Sequence, residues 1–144
     1  MDERFAQVAR ERELNMAHRV LIVDDNEMNL KLASEVLEVG GFAVERVMDA
    51  QEAQKSLAGA LPDLILMDIA LPGMDGLTLT RKLKADERLK HIPVIALTAF
   101  AMKGDDLKAI DAGCAGYITK PIDTRTLAKQ VAAYIEAGRK SQPA

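Results

Sequence analysis

The chain has 144 residues, of which 49% are hydrophobic and 28% are charged, a balance typical of one soluble globular domain. Its net charge of -3 and its 3% of aromatic residues argue against a nucleic-acid or membrane partner, because those partners attract basic, aromatic-rich surfaces. The single cysteine excludes an internal disulfide, no apolar run could span a bilayer, and the charged first residues do not form a signal peptide, so we expect a cytoplasmic protein.

After residue 18, short apolar runs alternate with amphipathic segments. The apolar runs predict strands at 19–23, 42–47, 64–67, 94–97 and 117–119. The amphipathic segments predict helices at 26–39, 50–60, 76–84, 103–112 and about 123–137, with Asp123 as the N-cap of the last helix. Five such strand–helix units predict an α/β fold with a parallel sheet covered by helices on both faces.

Residues 1–18 precede this alternation. Phe5, Val8 and Ala9 form an apolar stripe that is too thin to hold an isolated helix, which indicates a frayed or partly helical extension. A partner-binding or dimer-forming helix is the alternative interpretation. The sequence therefore predicts an extension at 1–18, a domain at 19–138 and a short tail at 139–144.

Polar side chains follow four of the predicted strands, at the sheet edge where parallel α/β folds bind ligands. Asp24 and Asp25 follow the first strand, Asp68 the third, Thr98 the fourth and Lys120 the fifth. A single aspartate here would usually form a turn or cap a helix. Two carboxylates ~4 Å apart, however, repel by about 4 kcal/mol at an effective dielectric of about 20. Bound Mg²⁺, which prefers oxygen ligands, would relieve that repulsion.

Four stretches together resemble the receiver domain of bacterial two-component response regulators: VLIVDDNEMN, LILMDIALPGMDG, ALTAFAM and GYITKPI. The resemblance covers about residues 19–137. The stretches TAFAMKGD and GC-x-x-YITKPI are most similar to single-domain regulators of the DivK cell-division type. The family implies a flavodoxin-like, doubly wound (βα)5 fold whose five parallel strands have the order 2-1-3-4-5.

The resemblance also implies roles for the residues at the strand ends. Asp68 would be the phosphoacceptor, which takes a phosphoryl group from a histidine kinase or a histidine phosphotransfer protein. Asp25, Asp68 and the backbone carbonyl of Ala70 would bind Mg²⁺ directly, and Asp24 would bind it mainly through water. Lys120 would pair with a phosphoryl oxygen.

Three further roles follow from the family pattern. Thr98 would donate a hydrogen bond to the phosphoryl group, and Tyr117 would be the aromatic switch residue that responds to it. The peptide bond between Lys120 and Pro121 would be cis. The signal would leave through the face formed by the fourth helix, the fifth strand and the fifth helix of the predicted domain, where a downstream protein would bind.

The sequence thus predicts a single-domain response regulator that is not an enzyme and that signals through phosphorylation-dependent protein–protein interaction. The alternatives are a detached receiver of a hybrid histidine kinase, a phosphorylation-independent scaffold and a Mg²⁺-dependent phosphohydrolase with an aspartate nucleophile. Haloacid-dehalogenase-like hydrolases need a second aspartate two residues after the nucleophile, where this chain has Ala70. The small Ala70 and the nearby Phe100 instead predict slow self-dephosphorylation.

Overall fold

The computed structural model describes residues 3–16, 18–98 and 105–141. In this part of the chain, helices and strands alternate in the following order: α1 (Glu3–Asn15), β1 (Arg19–Val23), α2 (Glu27–Val39), β2 (Ala43–Val47), α3 (Ala50–Leu57), β3 (Leu64–Asp68), α4 (Gly76–Ala85), β4 (Val94–Thr98), α5 (Asp105–Ala112), β5 (Gly116–Thr119) and α6 (Leu127–Ser141). Every predicted strand is present, with ends that differ by at most one residue. Among the described helices, none is long and apolar enough to cross a bilayer.

The five strands form one parallel sheet of order β2-β1-β3-β4-β5, which confirms the predicted flavodoxin-like topology. The three central strands are buried on both sides, so their sequences are continuously apolar rather than alternating. In the register of the sheet, Asp68 pairs with Leu97, and Thr98 pairs with Thr119. The strand ends that carry the predicted site therefore lie side by side.

Two hydrophobic layers enclose the sheet. Because successive strand residues point to opposite faces, Leu21 and Ile65 belong to one layer, and Ile22 and Leu66 belong to the other. Buried residues of α3, α4 and α5 complete the first layer, and those of α2 and α6 complete the second. The rigid sheet between the layers fixes the positions of the loops that follow each strand.

β2 lies at one edge of the sheet and is mostly exposed. Its residues Ala43, Glu45 and Arg46 are exposed, Val44 is half-buried, and only Val47 is buried. The side of β2 that does not face β1 pairs with no other described strand. Two adjacent exposed side chains of opposite charge, those of Glu45 and Arg46, therefore lie on this edge strand.

The N-terminal extension is helical from Glu3 to Asn15, so it is partly helical, one of the two forms that the sequence predicted. Its last turn is fixed to the domain. The buried Asn15 donates a hydrogen bond from Nδ2 to the carbonyl oxygen of Gly40 at 2.9 Å. Gly41, with φ of +104°, lies so close that a Cβ there would be 2.5 Å from the carbonyl oxygen of Arg12. Non-local contacts, rather than an apolar stripe, therefore anchor this helix.

Three predicted helix limits differ from the structure by more than one residue. The helix predicted at 50–60 ends at Leu57, α6 begins at Leu127 rather than directly after Asp123, and α6 ends at Ser141 rather than near 137, which takes it into the predicted tail at 139–144. The Asp123 carboxylate accepts a hydrogen bond from the backbone N–H of Arg125 at 2.9 Å, so it caps the turn that leads into α6. The predicted helix at 103–112 has its first two residues outside the described part of the chain, where α5 begins at Asp105.

Candidate functional site

Three carboxylates converge at the carboxyl edge of the sheet, as the sequence predicted. Asp24 and Asp25 directly follow β1, and Asp68 is the last residue of β3, the neighbouring strand. One carboxylate oxygen from each residue can be chosen so that all three lie within 4.8 Å of one another. Within the described residues, no other group of three or more His, Cys, Asp and Glu side chains converges in this way.

Burial makes this cluster electrostatically costly. Asp24 and Asp68 are almost fully buried, whereas Asp25 is exposed. Desolvation is the main cause that raises the pKa of Asp24, and the charge of Asp68 acts in the same direction. The backbone N–H of Asn26, which donates to Asp24 Oδ1 at 2.9 Å, and the nearby ammonium of Lys120 oppose that rise.

Lys120 brings a positive charge to the two buried carboxylates. Its Nζ lies 2.9 Å from Oδ2 of Asp24 and 3.3 Å from Oδ2 of Asp68. Desolvation by itself would lower the pKa of Lys120, but the two carboxylates outweigh it, and the pKa is raised. The peptide bond between Lys120 and Pro121 is cis, as the resemblance implied. The cluster thus contains one ammonium and three carboxylates, so negative charge is in excess.

The donor set of this site fits Mg²⁺. All three converging groups are carboxylates, which are the hard oxygen ligands that this ion prefers. Their spacing lets them contact one ion together, and a divalent cation would neutralise the charge that Lys120 leaves unbalanced. The soft or nitrogen ligands that zinc favours are not part of the cluster.

Two other predicted residues, Thr98 and Ala70, lie beside this cluster. Thr98 is the buried last residue of β4, and its carbonyl oxygen accepts a hydrogen bond from the backbone N–H of Lys120 at 2.7 Å. Ala70 is exposed, and its N–H donates to Asp68 Oδ1 at 2.9 Å. Tyr117 lies on β5 with 43% of its surface exposed. Phe100 lies outside the described residues.

Sequence reasoning missed Gly76, the first residue of α4, which lies against the backbone of Asp68. The motif PGMDG contains this glycine, but on sequence alone it predicts only a turn and the start of a helix. Asp75, just before it, caps α4 by accepting a hydrogen bond from the N–H of Thr78 at 2.8 Å. That hydrogen bond is the main cause that lowers the pKa of Asp75, opposite in direction to the shift at Asp24.

Comparison with protein families gives a match over most of the chain. Residues 20–132 match the model of the response regulator receiver domain. The polar-differentiation response regulator DivK of Brucella ovis is 46% identical over 120 residues, which cover 83% of this chain and 98% of that protein. DivK of Brucella anthropi is 45% identical over the same shares of the two chains.

Solved structures give the same picture of the fold. The chemotaxis response regulator CheY4 of Vibrio cholerae has a TM-score of 0.77 and 26% identity, covering 81% of this chain and 98% of that one. The receiver domain of a sensor histidine kinase from Pseudomonas aeruginosa has a TM-score of 0.76 and 34% identity, covering 83% and 98%. In that structure a magnesium ion is coordinated in the active-site cleft.

Proposed function

The chain belongs to the response regulator receiver family, and from that premise we propose that it accepts a phosphoryl group on Asp68. A receiver of this kind is a phosphoacceptor rather than an enzyme that turns over a separate substrate. The donor would be a phosphohistidine on a histidine kinase or on a histidine phosphotransfer protein. The observation that carries the assignment is that Asp68, at the end of β3, has a carboxylate oxygen within 4.8 Å of the other two acidic groups and lies 3.3 Å from Nζ of Lys120.

In the transfer, a carboxylate oxygen of Asp68 attacks phosphorus as the bond from phosphorus to the donor's imidazole nitrogen breaks. The imidazole nitrogen leaves with the electron pair of that bond. The N–H of Ala70, hydrogen-bonded to Oδ1, holds the carboxylate in one orientation. Lys120, 3.3 Å from Oδ2, is placed to neutralise negative charge on the transferring group. This arrangement favours transfer by positioning and charge, with little proton chemistry required.

Asp24, Asp25 and Asp68 would hold Mg²⁺, and the backbone carbonyl of Ala70 would complete the protein ligands. The ion would supply charge neutralisation at the phosphoryl oxygens. The magnesium ion in the Pseudomonas aeruginosa receiver supports this assignment. Two features of this chain also support it: the spacing of the three carboxylates and the raised pKa of Asp24, which is caused mainly by desolvation and in part by the charge of Asp68.

The output surface would be the face formed by α5, β5 and α6, which are the fourth helix, fifth strand and fifth helix of the domain once α1 is set aside. Three large side chains on this face are exposed: Leu107 and Ile110 on α5, at 63% and 58%, and Tyr117 on β5, at 43%. Thr98 lies beside the acceptor, at the start of the segment that leads to α5. After phosphorylation, the Thr98 hydroxyl would donate a hydrogen bond to the phosphoryl group, and the environment of Tyr117 would change. A downstream protein would then bind the altered face.

Phosphorylation by a small donor tests the assignment without requiring the kinase. The wild-type chain, incubated with acetyl phosphate and Mg²⁺, should gain one phosphoryl group by intact-protein mass spectrometry. Asp68→Asn should gain none, because an amide is not a competent nucleophile. Asp111→Asn, at an exposed aspartate of α5, is the matched control and should be modified like the wild type. A phosphoryl group on the Asp68→Asn variant would place the acceptor elsewhere.

A further inference from the structure

Gly76 makes an unusually close contact with the residue proposed to be phosphorylated. A Cβ at this position would overlap the carbonyl oxygen of Asp68. The same atom would lie 2.9 Å from the carbonyl carbon of Asp68 and from the Cα of Ile69, closer than real Cβ atoms come. The obstructing atoms belong to the backbone, so no side-chain rotation could relieve the overlap. Any residue other than glycine would have to push α4 and the end of β3 apart.

Among the described residues, this contact is the only feature that requires a glycine here. Gly41, Gly73 and Gly113 have positive φ angles, which favour glycine, but Gly76 does not. Its backbone conformation is open to any residue. Gly76 therefore has no room for a side chain because its Cα lies against the backbone of Asp68, and not because the turn needs a special backbone conformation.

Two hydrogen bonds fix Gly76, one to the residue after Asp68 and one inside the first turn of α4. Its N–H donates to the carbonyl oxygen of Ile69 at 3.3 Å. Its carbonyl oxygen accepts a hydrogen bond of 2.7 Å from the hydroxyl of Thr80, a fully buried side chain. The first turn of α4 is thus fixed against the residue that carries the acceptor carboxylate.

From this geometry we infer that Gly76 is a positioning residue for the phosphorylation of Asp68, held in place by Thr80; the inference rests on the proposed function. A displaced Asp68 backbone would carry its carboxylate away from the N–H of Ala70 and from Nζ of Lys120, which now lie 2.9 and 3.3 Å away. A misplacement of about 1 Å in reacting groups can cost on the order of a hundredfold in rate.

Three glycine-to-alanine variants of the full chain separate positioning from stability. Gly76→Ala should lower the rate constant of phosphorylation by acetyl phosphate at least tenfold, at saturating donor and Mg²⁺. Gly59→Ala should leave the rate unchanged, because a Cβ there has its nearest contact at 3.6 Å. Gly41→Ala should destabilise the chain, since φ is +104° and Arg12 is in the way, without lowering the rate. All rates are measured where each variant is folded by circular dichroism.

A second pair of variants covers the case in which Gly76→Ala does not fold. Thr80→Val removes the hydrogen bond to Gly76 and should lower the same rate constant severalfold, whereas Thr80→Ser keeps a hydroxyl and should restore it. A wild-type rate in Gly76→Ala, an equal loss in Gly41→Ala, or equal rates in the two Thr80 variants would overturn the inference. If the wild type itself gains no phosphoryl group on Asp68, the proposed function fails instead.

Discussion

Two aspartates at opposite ends of the β1–β3 pair show how differently the fold can surround the same side chain. At the amino end, Asp63 accepts a 2.7 Å hydrogen bond from the N–H of Arg19 and lies 3.8 Å from Nδ1 of His18. Its side chain is 43% exposed. At the carboxyl end, Asp24 is 1% exposed and lies beside another buried carboxylate.

The difference lies in how far each charge is satisfied by its surroundings. Asp63 keeps access to water and closes the first backbone pair of two strands. Burial removes Asp24 from water. The pKa of Asp24 is raised because a single backbone N–H and one ammonium do not fully compensate for the lost hydration. A carboxylate that is buried at a stability cost indicates a site that awaits a further ligand, whereas a satisfied carboxylate indicates a structural role.

Among the substitutions that test this comparison, the one at Asp63, at the amino end of the strand pair, should change the free energy of unfolding most. Asp63→Ala removes a charged acceptor from the Arg19 N–H and should lower the free energy of unfolding by about 1.5 kcal/mol. Urea denaturation followed by circular dichroism would measure it, since the chain has no tryptophan. Asp111→Ala, at an exposed position, is the control and should change little. An Asp63→Ala variant as stable as the wild type would contradict a structural role.

Magnesium should act only at the carboxyl end. At a free concentration ten times its dissociation constant, Mg²⁺ should raise the free energy of unfolding by about 1.4 kcal/mol, because it binds the native state. Thermal melts with and without the ion would show this gain in the wild type and in Asp63→Ala. Asp25→Asn should lose it. A gain that survives in Asp25→Asn would show that the ion binds somewhere other than the acidic cluster.

Asp75 lies in the loop that follows Asp68, but its carboxylate accepts hydrogen bonds and stays exposed, as that of Asp63 does. The comparison with the buried Asp24 can therefore be made closer to the proposed site. Asp75→Ala should lower the free energy of unfolding by about 1 kcal/mol, since it removes the N-cap of α4. Because the folded-state pKa is lowered, the wild-type advantage should be present above the unfolded pKa of about 4 and vanish as the pH falls through the folded value. Urea denaturation of both chains between pH 7 and pH 2 would measure it; an advantage that does not change with pH would count against the charged cap.

The smallest expected effect has the opposite sign. Without Mg²⁺ at pH 7, Asp24→Asn should raise the free energy of unfolding by about 0.5 kcal/mol, because it removes a desolvated charge while Lys120 keeps Asp68 as a partner. With the folded-state pKa raised, this cost of the carboxylate is present above that pKa and absent below the unfolded one. Matched urea titrations of the two chains would detect the rise. A variant less stable than the wild type would show that Asp24 is held by favourable contacts.

The strands and the acidic cluster could be predicted because their signals are local. An apolar run such as that of β3 indicates burial on both faces, and the residue that ends it is then placed by the parallel sheet. The strand order depended on family resemblance, since the pattern of runs does not say which strands are neighbours. The same resemblance supplied the roles of Thr98, Tyr117 and Lys120, which the structure leaves as predictions apart from the position of Lys120.

What the sequence did not indicate depends on contacts between distant segments. The last turn of α1 is fixed to the domain by the hydrogen bond from Asn15 to Gly40 and by the close approach of Arg12 to Gly41, and neither contact has a periodic signature. Gly76 looked like an ordinary turn glycine, since the overlap that excludes a side chain involves a residue eight positions earlier. Such steric requirements become visible only once the backbone is placed.

The exposed edge strand β2 has a consequence for behaviour at high concentration. A bare strand edge is a template on which a second chain can add its own strand, the first step towards insoluble fibres. Glu45 and Arg46 lie in the middle of this edge. An incoming apolar strand would have to strip water from both charges, which discourages that growth. Two adjacent residues thus protect this edge without changing the sheet.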